Sequence, residues 1–218
     1  MELKGKKINF LGDSITEGHG TSAREHTFEE VMLRDEGLAA ARNYGIGGTR
    51  IARQQKESLN NIWDQYFETR VPLMDPDADI IVIFGGTNDY GHGDAPIGKP
   101  EDRTPDTFYG ACHSLFRSVI EKYPEATIIV CTPLHRYNES SPRGDGYKEP
   151  TLPLIGYVNI IREVAEYYSL PLLDLYRNSS IVTEIDAVRR KFIPDGLHPN
   201  DAGHKILASR IAGFLKTL

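Results

Sequence analysis

The chain has 218 residues, 25 of them basic and 31 acidic, for a formal net charge of −6, and 39% of it is hydrophobic. An acidic balance without a basic run or stripe argues against a nucleic-acid backbone as partner, and no apolar run approaches the ~20 residues that span a bilayer. A chain of this length buries roughly 70% of its unfolded surface, so it needs no disulfide or metal staple. Its charged first residues lack a cleavage-type region, and a cytoplasmic location is expected.

Short apolar, β-rich runs alternate with longer amphipathic segments, which predicts a single α/β domain over residues 1–218 with helices covering a parallel sheet. Residues 8–11 (INFL) read as the first strand and 41–44 (ARNY) as a weak second. Residues 79–84 (DIIVIF) form the clearest strand, continuous because both faces are buried. A helix over 107–122 follows, with Asp106 as its N-cap, then a fourth strand over 127–131 (TIIVC). Leu154, Val158, Ile161, Ala165 and Tyr168 make one apolar helical stripe. A fifth strand covers 172–175, and Leu207, Ile211, Phe214 and Leu218 mark a closing helix. Cys112 and Cys131 fall in a helix and a strand pattern and read as small buried hydrophobes.

Residues 90–105 and 134–150 read as irregular, each following a strand and rich in Gly, Pro and charge. Loops this long in a folded domain are usually functional, and both belong to the carboxyl edge of the strands, where ligands bind. Tyr90, His92, Asp94, His135, Arg136, Tyr137 and Arg143 are therefore candidate substrate-loop residues; the competing reading makes them solvated loop tips.

No G-x-S-x-G, S-x-x-K, H-E-x-x-H or G-x-G-x-x-G pattern is present. Residues 93–99 match phosphate-loop spacing. However, Pro100 stands where a magnesium ligand belongs, and no helix opens to hold phosphate on its dipole.

Four short clusters remain. In Gly12-Asp13-Ser14, after strand one, a serine sits on a tight strand-to-helix turn, where it could equally be a helix N-cap. In residues 43–49 (NYGIGGT), after strand two, three glycines let the backbone approach a ligand closely. In Gly85-Gly86-Thr87-Asn88-Asp89, after strand three, Asn88 can offer a neutral donor to a developing negative charge, or simply end the strand in an Asx-turn. In Asp195-Gly196-Leu197-His198, a carboxylate three residues before a histidine can hold its Nδ1–H while Nε2 faces a nucleophile. A metal site from Asp195, His198, Asp201 and His204 is the alternative, but Pro199 interrupts it and zinc-like spacing is absent. No metal and no cofactor is expected.

A sheet of order 2-1-3-4-5 sets the ends of strands two, one and three side by side at the topological switch point. Ser14, Gly48 and Asn88 then surround one small volume, with His198 as base and Asp195 orienting it, a full set for acyl transfer. These four blocks, in this order from residue 8 to 200, resemble the SGNH hydrolase superfamily, also called GDSL-type esterases. The resemblance implies a flavodoxin-like three-layer α/β/α sandwich with a five-stranded parallel sheet of order 2-1-3-4-5. It also implies a triad of Ser14, His198 and Asp195, and an oxyanion hole from the Ser14 and Gly48 N–H groups with the Asn88 side chain.

The expected activity is a metal-independent serine esterase acting on a short, acetyl-type ester of a small polar molecule such as an O-acetylated carbohydrate. A longer-chain acylhydrolase or thioesterase is the alternative within the family, and a non-catalytic small-ligand module the alternative outside it. The expected partner is a small ester, with neither nucleic acid nor membrane.

Overall fold

In the computed structural model, which describes residues 1–145 and 150–218, the apolar runs become strands β1 (Lys7–Gly12), β2 (Ala40–Gly45), β3 (Ile80–Phe84), β4 (Thr127–Cys131) and β5 (Leu172–Leu173). They form one parallel sheet of order β2-β1-β3-β4-β5. In register, Gly12 stands beside Gly45 on one side and Phe84 on the other, and Phe84 beside Cys131. The chain thus leaves four neighbouring strands at one level.

The helices in chain order are α1 (Ser14–Glu17), α2 (Phe28–Asp35), α3 (Phe67–Arg70), α4 (Thr87–His92), α5 (Phe108–Lys122), α6 (Leu154–Tyr167), α7 (Leu175–Asn178), α8 (Asp186–Phe192) and α9 (Asp201–Thr217). Successive strand side chains point to opposite faces. Ile81, Ile83, Ile128 and Val130 pack with Leu115, Phe116 and Val119 of α5 and Val158 and Ile161 of α6. Ile80, Val82, Phe84 and Ile129 pack with Phe28 and Met32 of α2 and Leu207 and Ile211 of α9. Three layers result, with β3 apolar throughout because each of its faces lies in a core. Each such side chain contributes about 1.5–3 kcal/mol by burial. The one polar side chain inside β1, Asn9, is satisfied: its amide donates to Asp75 O at 2.8 Å and its oxygen accepts from Arg42.

Several boundaries differ from the sequence expectation. The fifth strand stops at Leu173 because Asp174 becomes the N-cap of α7, accepting from the Arg177 N–H. The N-cap of α5 is Thr107, which has extended backbone angles and accepts from the Gly110 N–H; Asp106 instead pairs with Arg53. Residues 90–92, expected to be irregular, complete α4. In the phosphate-loop look-alike, the Lys99 N–H donates to the Asp102 carboxylate. Cys112 and Cys131 are free, buried thiols, as expected. Residues 146–149 of the second irregular stretch lie outside the described residues. Among those described, no helix is long and apolar enough to cross a membrane.

Candidate active site

At the end of β1 the chain turns so tightly that a Cβ on Gly12 would overlap the Thr16 side chain and approach Phe84 O. Asp13 takes the N-cap of α1, accepting from the Ile15 N–H at 3.0 Å. Burial lifts its carboxyl to about 7, against the pull of that N–H donor. With the cap filled by Asp13, the Ser14 hydroxyl is left for another partner: its Oγ lies 3.0 Å from His198 Nε2.

His198 sits on the turn before α9, and its Nδ1 lies 2.7 Å from Asp195 Oδ2. The other carboxylate oxygen, Oδ1, accepts the backbone N–H groups of Leu197 and His198 at 2.8 and 2.7 Å. Burial pushes the Asp195 carboxyl up, but these N–H donors and the imidazole outweigh it and hold the group below its ordinary value. An ionised carboxylate only accepts, so Nδ1 carries the ring hydrogen and Nε2 presents a lone pair to Ser14.

The serine and histidine are 184 residues apart in sequence, and three contacts lock their segments together. Ser22 donates through its N–H and its hydroxyl to the Asp201 carboxylate at 2.8 and 2.6 Å. Gly20, at φ +92°, leaves room for Pro199 O and the His198 Cβ. The Phe28 N–H donates to Nδ1 of the buried His204 at 3.0 Å, and burial presses that imidazole down to about 4. His204 and Asp201 are thus committed away from Asp195 and His198. Among the described residues, no group of three or more His, Cys, Asp or Glu side chains is placed to hold a metal ion.

The second cluster divides its labour. Asn43 braces β2 to α1, donating to Thr16 O at 2.6 Å and accepting the Gly45 N–H. The Gly47 N–H donates to Glu17 Oε2 at 2.6 Å, and the same oxygen lies 3.1 Å from His19 Nε2. Gly48 has φ +75°, and a Cβ there would overlap the Trp63 indole. In the third cluster Asn88 lies in the first turn of α4, where one amide N–H donates to Thr49 O at 3.0 Å. An amide has a second N–H to offer. Asp89 accepts the N–H groups of Ile51 and Ala52, both at 2.9 Å, although burial lifts its carboxyl to about 6.

Behind these loops lies Arg70, nearly fully buried. Its guanidinium donates to Gly12 O, Tyr44 O and Thr49 Oγ1 at 2.8, 2.5 and 3.1 Å, tying the ends of β1 and β2 to the glycine loop. Burial lowers its pKa to about 10, which leaves it charged at neutral pH.

Ser14, Gly48, Asn88 and His198 line one cleft of about 390 Å³, together with Glu17, His19, Trp63, Asp145 and others. Of the candidate substrate-loop residues, His92 lines it too, its ring centroid 5.3 Å from that of Trp63. Tyr90 does not: it is buried against Tyr157, and its hydroxyl donates to Asn138 O. Arg136 is buried behind the site, donating to Thr87 O and pairing with Asp145. His135 pairs with Glu139 and lies against Tyr176, outside the cleft. Asp94 accepts the N–H groups of Gln55 and Lys56, Tyr137 is 63% exposed, and the Arg143 N–H donates to Ser141 Oγ.

Residues 10–206 match the GDSL-like lipase/acylhydrolase family. The chain belongs to that family. It is accordingly an esterase or acylhydrolase. A protein from Lactobacillus plantarum of known structure is 28% identical, with 99% of this chain and 98% of that one covered and a TM-score of 0.84. A lipase/acylhydrolase from Enterococcus faecalis (23% identity, 97% and 96% covered, TM-score 0.65) and an acetyl xylan esterase (23%, 95% and 98%, TM-score 0.62) share the fold of this GDSL-type chain. None of the curated proteins compared with the chain matches it.

Proposed function

We propose that this GDSL-type hydrolase is a metal-independent serine esterase that removes short acyl groups, acetyl above all, from a small polar substrate such as an O-acetylated carbohydrate. The observation that carries the reading is the line from Asp195 Oδ2 through His198 to Ser14 Oγ, with spacings of 2.7 and 3.0 Å. His198 Nε2 takes the Ser14 proton as Oγ bonds to the ester carbonyl carbon. The resulting oxyanion is held by the Ser14 and Gly48 N–H groups and the Asn88 amide. The intermediate collapses by breaking the bond to the alkoxy oxygen, which leaves as an alcohol with the proton from His198. Water, deprotonated by the same nitrogen, then releases the acid and restores Ser14.

Glu17, His19, Asp145 and His92 give the cleft polar groups between the apolar side chains of Ile46, Ile62 and Leu197 and the aromatic face of Trp63. That lining suits a hydroxyl-rich substrate, which needs hydrogen-bonding groups around it. The acetyl xylan esterase among the fold neighbours is in keeping with this choice. Comparing p-nitrophenyl acetate with p-nitrophenyl decanoate, alongside acetylated sugars, tests it. Faster turnover of the acetyl esters is expected; faster decanoyl cleavage would overturn the substrate assignment.

A further inference from the structure

Trp63 and His92 are a shared wall. On one side lies the catalytic cleft, and on the other a cavity of about 200 Å³ bounded by Arg50, Gln54, Ser58, Leu59 and the charged Lys56, Glu57 and Asp94. The indole of Trp63 lies so close to Gly48 that only a glycine fits there. It is anchored through its own backbone and through the side chain of its neighbour. The Trp63 N–H donates to Asn60 O at 3.0 Å, and the next residue, Asp64, accepts from buried Arg50 at 2.9 Å. Arg50 also reaches His92, its Nη1 lying 3.2 Å from Nδ1, so one arginine holds both halves of the wall.

The second cavity has spent most of its polar groups internally. Gln54 donates to Ala52 O and accepts the Asp94 N–H, and Ser58 is bonded to Arg50 and Asp64. What it offers a guest is the surface of Leu59 and the far face of Trp63, with the charged side chains of Lys56 and Glu57 beside them.

The chemistry of ester cleavage gives this wall a direction. The leaving oxygen must lie within reach of His198 Nε2, which protonates it. The carbonyl oxygen is turned to Gly48 and Asn88. The acyl substituent is then directed away from His198 into the rest of the cleft, where Trp63, packed against Gly48, is the large side chain of the wall. We propose that Trp63 is the specificity-determining residue that restricts the acyl group to acetyl length, by closing the cleft off from the second cavity. This rests on the esterase reading above and deepens it.

The test is kcat/KM for p-nitrophenyl acetate, butyrate and hexanoate with the wild type, Trp63→Ala and Trp63→Leu. In the wild type acetate is cleaved fastest. Trp63→Ala joins the two cavities and raises the hexanoate-to-acetate ratio by about tenfold or more, the scale on which apolar pockets discriminate chain length. Trp63→Leu, which fills part of the gap, raises it less. A parallel fall on all three esters would overturn the proposal and make Trp63 only a support for the glycine loop. Should Trp63→Ala fail to fold, Trp63→Leu decides alone, and an unchanged ratio there also overturns it. Wild-type enzyme that prefers hexanoate overturns the acetyl assignment and the wall with it, while the esterase reading stands; wild-type enzyme that cleaves none of the three overturns the serine-esterase reading itself.

Discussion

Asp195 grips His198 twice: Oδ1 accepts its backbone N–H at 2.7 Å while Oδ2 lies 2.7 Å from the ring Nδ1 of the same residue. The backbone contact fixes where the carboxylate sits, and the ring contact fixes which nitrogen carries the hydrogen. Asp195→Asn keeps an oxygen for the two N–H donors but turns an amide N–H towards Nδ1, driving the ring hydrogen to the nitrogen that faces Ser14. A fall of about 10⁴ in kcat is expected, the scale of the wrong tautomer in a Ser-His-Asp triad, with the melting temperature little changed. Steady-state kinetics check it, and a fall below tenfold would remove Asp195 from the machinery.

Asn88→Ala deletes one donor to the developing oxyanion. The expected loss is about 10²–10³ in kcat on p-nitrophenyl acetate, with KM changing much less, because the contact strengthens only as charge develops. Unchanged turnover would take Asn88 out of the site.

Arg70→Met removes the guanidinium shared by the ends of two strands and the glycine loop. Buried Gly12 O and Thr49 Oγ1 and the partly buried Tyr44 O lose a charged donor, and about 2–4 kcal/mol of stability should go with it. For a chain of this size each kcal/mol moves the midpoint by about 2–4 °C. Thermal unfolding reads the shift, and kcat should fall as well because Gly48 sits on the loop that is freed. A variant as stable as the wild type would show the three acceptors to be satisfied without Arg70.

The pH dependence of stability carries the mark of His204. Its folded-state pKa is pressed to about 4 by burial, against the ordinary 6.5. Between these values the unfolded chain binds a proton that the folded one refuses, so this contribution is complete above 6.5 and is lost as pH falls towards 4. Asp13 and Asp89, raised to about 7 and about 6, act in the opposite sense, each costing stability as pH rises through its folded value. Comparing the wild type with His204→Asn isolates the histidine, because Asn keeps an acceptor for the Phe28 N–H. The variant should be less stable at pH 7.5, with a gap that narrows by pH 4.5; a constant gap would contradict this.

The sheet and the four clusters were legible in the sequence because their signals are local. A doubly buried strand shows as IIVIF, and each cluster directly follows a strand end or precedes α9. The residues that were missed act across long separations. Nothing near Arg70 in the sequence points to Gly12 O, 58 residues away. Trp63 reaches Gly48 only because the segment between them folds back on itself, and that segment has no periodicity to reveal it. Tyr90 and Arg136 were misplaced for a related reason. Both are polar and follow strands closely, yet α4 carries Tyr90 into the core against Tyr157, and Arg136 is drawn under Thr87. Polarity alone does not tell a cleft wall from a satisfied interior group.

Activation of Ser14 by His198 makes the serine hydroxyl a nucleophile that covalent labelling can detect. The protein is treated with a fluorophosphonate and its intact mass and peptide map are read, with Ser14→Ala and His198→Ala alongside. The expected result is one adduct per chain on the Ser14 peptide, absent in Ser14→Ala and slowed at least about 10³-fold in His198→Ala. No adduct on the wild type, or one on a different serine, would contradict it.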